Sequence, residues 1–204
     1  MNNIALHVYN VFAHAIHDYH VDDEVDSVMP DRYNERLPES LLYRKNWIDT
    51  VQWHLEDLIR DPDIRPESAL SVKRRIDILN QQRTDIVELI DDYFYNLYGH
   101  VIPENDARHN TESLGWALDR LSILALKEYH LNVEMERADA SLQHRDNTIK
   151  RKQVLERQKT DLMKAIDWLH EDISLGKKIN KVYKQLKMYN DQSFNPVLYK
   201  KAIT

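Results

Sequence analysis

Apolar residues recur along most of this chain at three- and four-residue steps, the period of a helix that buries one face. Ile4, Val8, Val11, Phe12, Ala15 and Tyr19 make the first such stripe, and predict a helix over residues 4–19. Pro30, Asn34 and Pro38 interrupt the next stretch, so residues 21–38 read as a loop. A second helix starts at Leu37-Pro38-Glu39-Ser40, with proline in the first turn, and ends near Asp61-Pro62. A third starts at Pro66-Glu67-Ser68 and runs to about Tyr98, with Gly99 placed to end it. Together they predict a helical hairpin, Asn46 to Asp92, around which the rest of the chain is organised. On its first helix Trp47, Ile48, Val51, Leu55, Leu58 and Ile59 share the arc expected to face the core. Asn46, Asp49, Thr50, Trp53, Asp57 and Arg60 fall on the opposite arc. On its second helix the apolar arc is Val72, Ile76, Leu79, Ile86, Val87, Ile90 and Phe94. Arg83 projects into the middle of that arc, beside a polar stripe of Lys73, Asp77, Asn80, Thr84, Glu88 and Asp91.

Beyond a loop at 100–110, Asn110 or Thr111 is placed to cap a helix that is apolar almost all the way round, from Ser113 to Arg137. Such a helix is buried, so this one is predicted to be central. A break at 137–140 precedes a long helix that stops at Gly176. Leu142, Ile149, Leu155, Leu162, Ile166, Leu169 and Ile173 line one side of it. Its first half, HRDNTIKRKQVLERQK, is highly charged and is expected to face solvent or a partner. Residues 177–204 form a basic, aromatic extension. Lys177, Lys178, Lys181, Lys184, Lys187, Lys200 and Lys201 interleave there with Tyr183, Tyr189, Phe194 and Tyr199. That mixture suits a polyanion, but the reading adopted is a tail whose aromatics pack on the bundle while its lysines stay in water. The whole is an all-α, single-domain bundle of about five long helices spanning 1–204.

Composition supports that class. Among 204 residues there are three glycines and six prolines, and the aromatics are mostly tyrosine, eleven against three phenylalanines. The net charge of -6 argues against nucleic acid as a partner. With no cysteine there is no disulfide, no thiolate metal site and no cysteine nucleophile. No basic region followed by an apolar run suggests a signal peptide, and no apolar stretch approaches the roughly 18 residues of a membrane span. A cytoplasmic setting is therefore expected.

The chain has no Gly-rich phosphate loop, no HExxH, no GxSxG and no ExxH. His14 and His17 stand at the i, i+3 spacing of a metal-ligand pair, but no second motif supports them, so neither a metal nor a cofactor is expected. Glu88-Leu89-Ile90-Asp91 resembles half of the paired carboxylate motif of all-helical nucleoside triphosphate pyrophosphohydrolases. The other half would be His54-x-x-Asp57, a poor match. Within a hairpin that turns near Ile64, Asp57 and Glu88 are roughly 25 Å apart, too far to share an ion.

The segments LLYRKNWIDTVQWHLEDLIRDP, KRRIDILNQQRTDIVELID, NTESLGWALDRLSILALKEYH and KVYKQLKMYNDQSFNPVLY resemble the blocks of a bacterial family, domain of unknown function 4254. The resemblance implies a helical protein of about this length, with a link to cell-envelope glycan synthesis as an expectation. It carries over no catalytic residue.

An arginine on an apolar arc needs a carboxylate, and a buried helix bearing Asp119 and His130 must supply partners for both. Asp57, Lys73, Asp77, Asn80, Arg83, Asp119, Arg120 and His130 are expected to converge between the hairpin and the buried helix, with Lys127 beside His130. Asp119 and His130 lie three turns apart, about 16 Å, so they cannot bond to each other directly. Asp119 is expected to pair with a cation of the hairpin, and His130 to stand at a pocket mouth. The residues support three readings. One is a binding or accessory protein holding a small polar or anionic ligand such as a sugar nucleotide. Another is a Mg-dependent hydrolase or transferase using Asp119 and His130 as acid and base. The third is a helical protein whose charges only set register and whose surfaces bind a partner, a homodimer included. Catalysis is left open among them.

Overall fold

Prolines and capping serines set most of the helix starts. The computed structural model describes residues 3–188, 191 and 193–200. Its helices are α1 (Ile4–Asp22), α2 (Pro38–Leu58), α3 (Pro66–Leu97), α4 (Leu114–Glu136), α5 (Leu142–Ser174) and the single turn α6 (Pro196–Tyr199). Proline opens α2 and α3, where its missing N–H is no loss. Ser113, rather than Asn110 or Thr111, caps α4 by accepting the Trp116 N–H, and Ser141 caps α5 by accepting that of His144. Gly176 ends α5 in the left-handed region, at φ 76°; a Cβ there would stand 2.7 Å from the carbonyl oxygen of Ile102. Tyr98 rather than Gly99 is the C-cap of α3. Among the described residues there is no strand, only one parallel bridge between Arg108 and Lys178. No described helix is long and apolar enough to cross a membrane. The fold is all-α, with five long helices.

The central position belongs to α4, which touches α1, α2, α3 and α5. Leu114, Ala117, Leu118, Leu121, Ala125 and Leu126 bury its first half. From Lys127 onward the helix is only partly covered, so burial stops halfway along a helix whose pattern predicts it throughout.

Three sequence expectations need correction. The arc of α2 opposite the apolar one is buried in its first half: Asn46 and Thr50 are inaccessible and Asp49 nearly so, together with Lys45, whereas Asp57 and Arg60 of that arc, and Leu58 of the apolar one, are exposed. The reason is that α2 packs on α1, α3 and α4 at once and has two buried faces. On α5, Leu142 and Ile149 are exposed, and the core begins at Leu155 and continues through Ile166, Leu169 and Ile173. The tail after Gly176 lies along α3, but its lysines fasten it. Lys184 Nζ reaches Asp92 at 2.7 Å, Lys187 Nζ donates to the Asn80 carbonyl at 2.9 Å, and Asn180 Nδ2 donates to the Phe94 carbonyl at 3.0 Å. Tyr183 and Phe194 stay exposed; Tyr189 and Lys201 lie outside the described residues.

Candidate functional site

Four charges meet in the interior where α2, α3 and α4 come together. Lys45 and Asp49, one turn apart on α2, form an ion pair with both side chains about 1% exposed. Lys45 Nζ also lies 2.8 Å from Asp119 Oδ1 on α4. From α3, Arg83 clasps Asp119 with two hydrogen bonds, Nε to Oδ1 at 2.7 Å and Nη2 to Oδ2 at 2.6 Å, and its Nε stands 3.4 Å from Asp49 Oδ1. Ser122 Oγ donates to Asp49 Oδ2 at 2.6 Å and accepts from Asn46 Nδ2 at 2.8 Å. Burial alone would push the Asp119 carboxyl upward, but the bonds from Arg83 and the charges of Lys45 and Arg83 outweigh it and hold the group below its usual range. For Asp49, more deeply buried, desolvation prevails over the same two cations and the carboxyl is raised. Two cations balance two carboxylates, which leaves no net charge to attract a ligand.

The expected convergence is thus only partial. Arg83 and Asp119 meet, as the apolar arc around Arg83 suggests. Lys73 and Asp77 pair with each other on the exposed face of α3, and Asn80 accepts from Gln52 Nε2 at 3.0 Å. Arg120 turns outward to Glu112 at 2.8 Å. Asp57 is exposed on the rim of a 320 Å³ cleft that Asp49, Trp53 and Arg83 also line. Of the half-motif on α3, Glu88 accepts the Gln185 N–H at 2.7 Å and Asp91 accepts the Gly115 N–H at 2.7 Å, so both hold the fold rather than an ion.

Lys127 and His130 lie elsewhere, on a groove between α4 and α5 closed at one end by α2. The space is 550 Å³, and Trp53, Leu131, Val154 and Leu155 supply its apolar surface. The His130 ring stacks on Trp53, centroids 4.6 Å apart and planes 7° apart. Burial, with help from the nearby His54 and His20, pulls His130 down to about 4, so it is neutral at pH 7. The rim carries Lys127, Lys150 and Arg151, none of which has a carboxylate within ion-pair distance among the described residues. Glu134, the acid on this rim, is already engaged by Arg137 at 2.9 Å and His144 at 2.8 Å. Trp53, Lys150 and Arg151 were not legible as site residues, because α5 supplies the cations and only the α4–α5 packing sets them beside Lys127.

A family model described as Protein of unknown function (DUF4254) matches residues 39–182, from the start of α2 to just beyond α5. No curated protein and no solved structure matches the chain.

Proposed function

The chain belongs to the DUF4254 family, and from that membership and the geometry above we propose a binding protein whose α4–α5 groove holds a small ligand with a flat or apolar body and an anionic end. One observation carries the reading: three exposed cations without carboxylate partners ring a groove with an apolar floor. The 550 Å³ volume suits a small molecule. Trp53 and His130 would support the body of the ligand, and Lys127, Lys150 and Arg151 would meet its phosphate or carboxylate. A sugar nucleotide has that shape, and a role in cell-envelope glycan synthesis is part of the proposal. Catalysis by Asp119 and His130 finds no support, because both Asp119 oxygens are held by cations of the buried network.

The test is calorimetric titration of the full chain with a panel of nucleoside diphosphate sugars and free nucleotides. Lys127→Ala, Lys150→Ala and Arg151→Ala are each expected to weaken binding by about tenfold, since a charge-assisted hydrogen bond is worth roughly 1.5 kcal/mol or more. As exposed substitutions they should leave stability within about 0.5 kcal/mol of the parent. His130→Ala is a poorer probe, because it also removes the stack on Trp53. A triple alanine variant that binds the panel as the parent does would end this reading.

A further inference from the structure

Three histidines that no local spacing links come together at one point: His20 near the end of α1, His54 near the end of α2 and His130 on α4. One ring nitrogen of each lies within 4.8 Å of the others. The Nε2 atoms of His20 and His54 are 3.2 Å apart. A tetrahedral zinc ion with bonds of about 2.0–2.1 Å holds its nitrogens roughly 3.3–3.4 Å apart, so these two already stand at that separation. The carboxylate of Asp23 is close by, its Oδ1 3.8 Å from His20 Nε2 and 3.7 Å from His54 Nε2.

The hydrogen bonding prepares the cluster to give lone pairs. His20 Nδ1 is 2.6 Å from the carbonyl oxygen of Ile16. A carbonyl only accepts, so the proton of the neutral ring sits on Nδ1 and Nε2 presents its lone pair. Ligating histidines are oriented in this way by a backbone carbonyl behind the ring. Without an ion, His54 Nε2 donates to His20, and His130 Nε2 is buried with no hydrogen-bond partner among the described residues. A buried polar atom in that condition calls for a missing partner. Tyr19 stacks on His54, centroids 5.0 Å apart, as Trp53 does on His130, so the rings have little freedom to turn away.

We propose that His20, His54 and His130, with Asp23 as fourth ligand, form a site for a late first-row divalent cation of the zinc class. Three imidazoles select zinc and its neighbours over magnesium or calcium, which take oxygen donors. The ion links α1, α2 and α4 at one end of the bundle. The expectation of no metal weighed His14 and His17, which instead engage Tyr33 and Asp18; the ligand set draws on three separate helices.

Untagged full-length protein, stripped with a chelator, is titrated with Co²⁺ alone and followed by visible absorption, then with Zn²⁺ by calorimetry. The expected result is one ion per chain, the intense visible bands of tetrahedral cobalt, and a thermal midpoint that rises with added Zn²⁺. His54→Gln and His130→Gln should each lose on the order of 100-fold or more in affinity, since loss of outer-shell partners already costs about 10–100-fold. Asp23→Asn should lose about tenfold, and His14→Gln should bind like the parent. Absence of saturable binding near one ion per chain overturns the proposal, as does undiminished affinity in both histidine variants. Should circular dichroism show a variant unfolded, the parent titration decides alone. The probe is the metal, so the outcome is independent of any groove ligand.

Discussion

Replacing Lys45 by methionine is expected to lower folding stability at pH 7 by about 3–5 kcal/mol, the usual cost of removing one partner from a buried ion pair. Methionine fills most of the volume, so the loss is electrostatic rather than a cavity effect. It leaves Asp49, about 1% exposed, with the Ser122 hydroxyl at 2.6 Å and, as the one remaining cation, Arg83 at 3.4 Å. Arg83→Ala acts in the same direction but less, because the Arg83 side chain is still 27% exposed and water can reach the carboxylate it leaves. The Lys45 effect carries a pH signature. Burial already raises the folded-state value of Asp49, and removal of the nearer cation raises it further. As pH falls from 7 toward the unfolded value near 3.9, the folded variant takes up a proton that the unfolded chain does not. Its stability relative to the parent therefore recovers on acidification. Asp119 does not cancel this. Its folded-state value is depressed, so its contribution is fully present above the unfolded value and is lost only as pH falls below it. Urea denaturation at pH 7 and pH 5 checks both parts. An unchanged midpoint at pH 7, or a difference from the parent that widens at pH 5, would show that Lys45 does not stabilise Asp49.

The fold was legible because its signals are local. Proline at the helix starts, Gly176 at the end of α5 and three- and four-residue apolar steps all act within a few residues of where they are read. The second buried face of α2 was not legible, because a two-letter pattern sends Lys45, Asn46, Asp49 and Thr50 to solvent. One clue was available: a cation on the apolar arc of α3 demands a carboxylate, and Asp49 stands one turn from Lys45 on the preceding helix. The pattern flagged Arg83 and Asp119 and stopped one helix short of completing the network. Lys127 and His130 were readable as a pair because they are one turn apart. Lys150, Arg151 and Trp53 join them through the packing of α5 and α2 on α4, and His20 and His54 join His130 through the packing of α1 and α2. Those meetings depend on how helices cross, which no spacing within a single helix records.

Gly115→Ala is expected to destabilise the protein by about 2–4 kcal/mol, although alanine is the better helix former by roughly 1 kcal/mol. Gly115 lies in the first turn of α4, where its N–H donates to Asp91 Oδ1 on α3 at 2.7 Å. The hydroxyl of Ser113 donates to the other oxygen of Asp91 at 2.6 Å. Asp91 thus satisfies donors at a helix N-terminus from a neighbouring helix, where a negative group is also favoured by the helix dipole. The contact requires close approach: a Cβ on Gly115 would stand 2.6 Å from Asp91 Oδ1 and 2.8 Å from the Val87 carbonyl oxygen. The carboxylate can swing aside only by giving up its bonds, worth about 1.5–3 kcal/mol for a charged acceptor, and the α3 backbone can move only by opening the packing beneath it, typically about 1–3 kcal/mol. Both outweigh the gain in propensity. The two clashes are separable in a double-mutant cycle with Asp91→Ala. With the carboxylate gone only the Val87 contact remains, so the double variant should be more stable than the sum of the single losses implies, by about 1 kcal/mol or more. Strict additivity would show that the methyl meets the α3 backbone and not Asp91, and that the carboxylate does not hold the start of α4 in place.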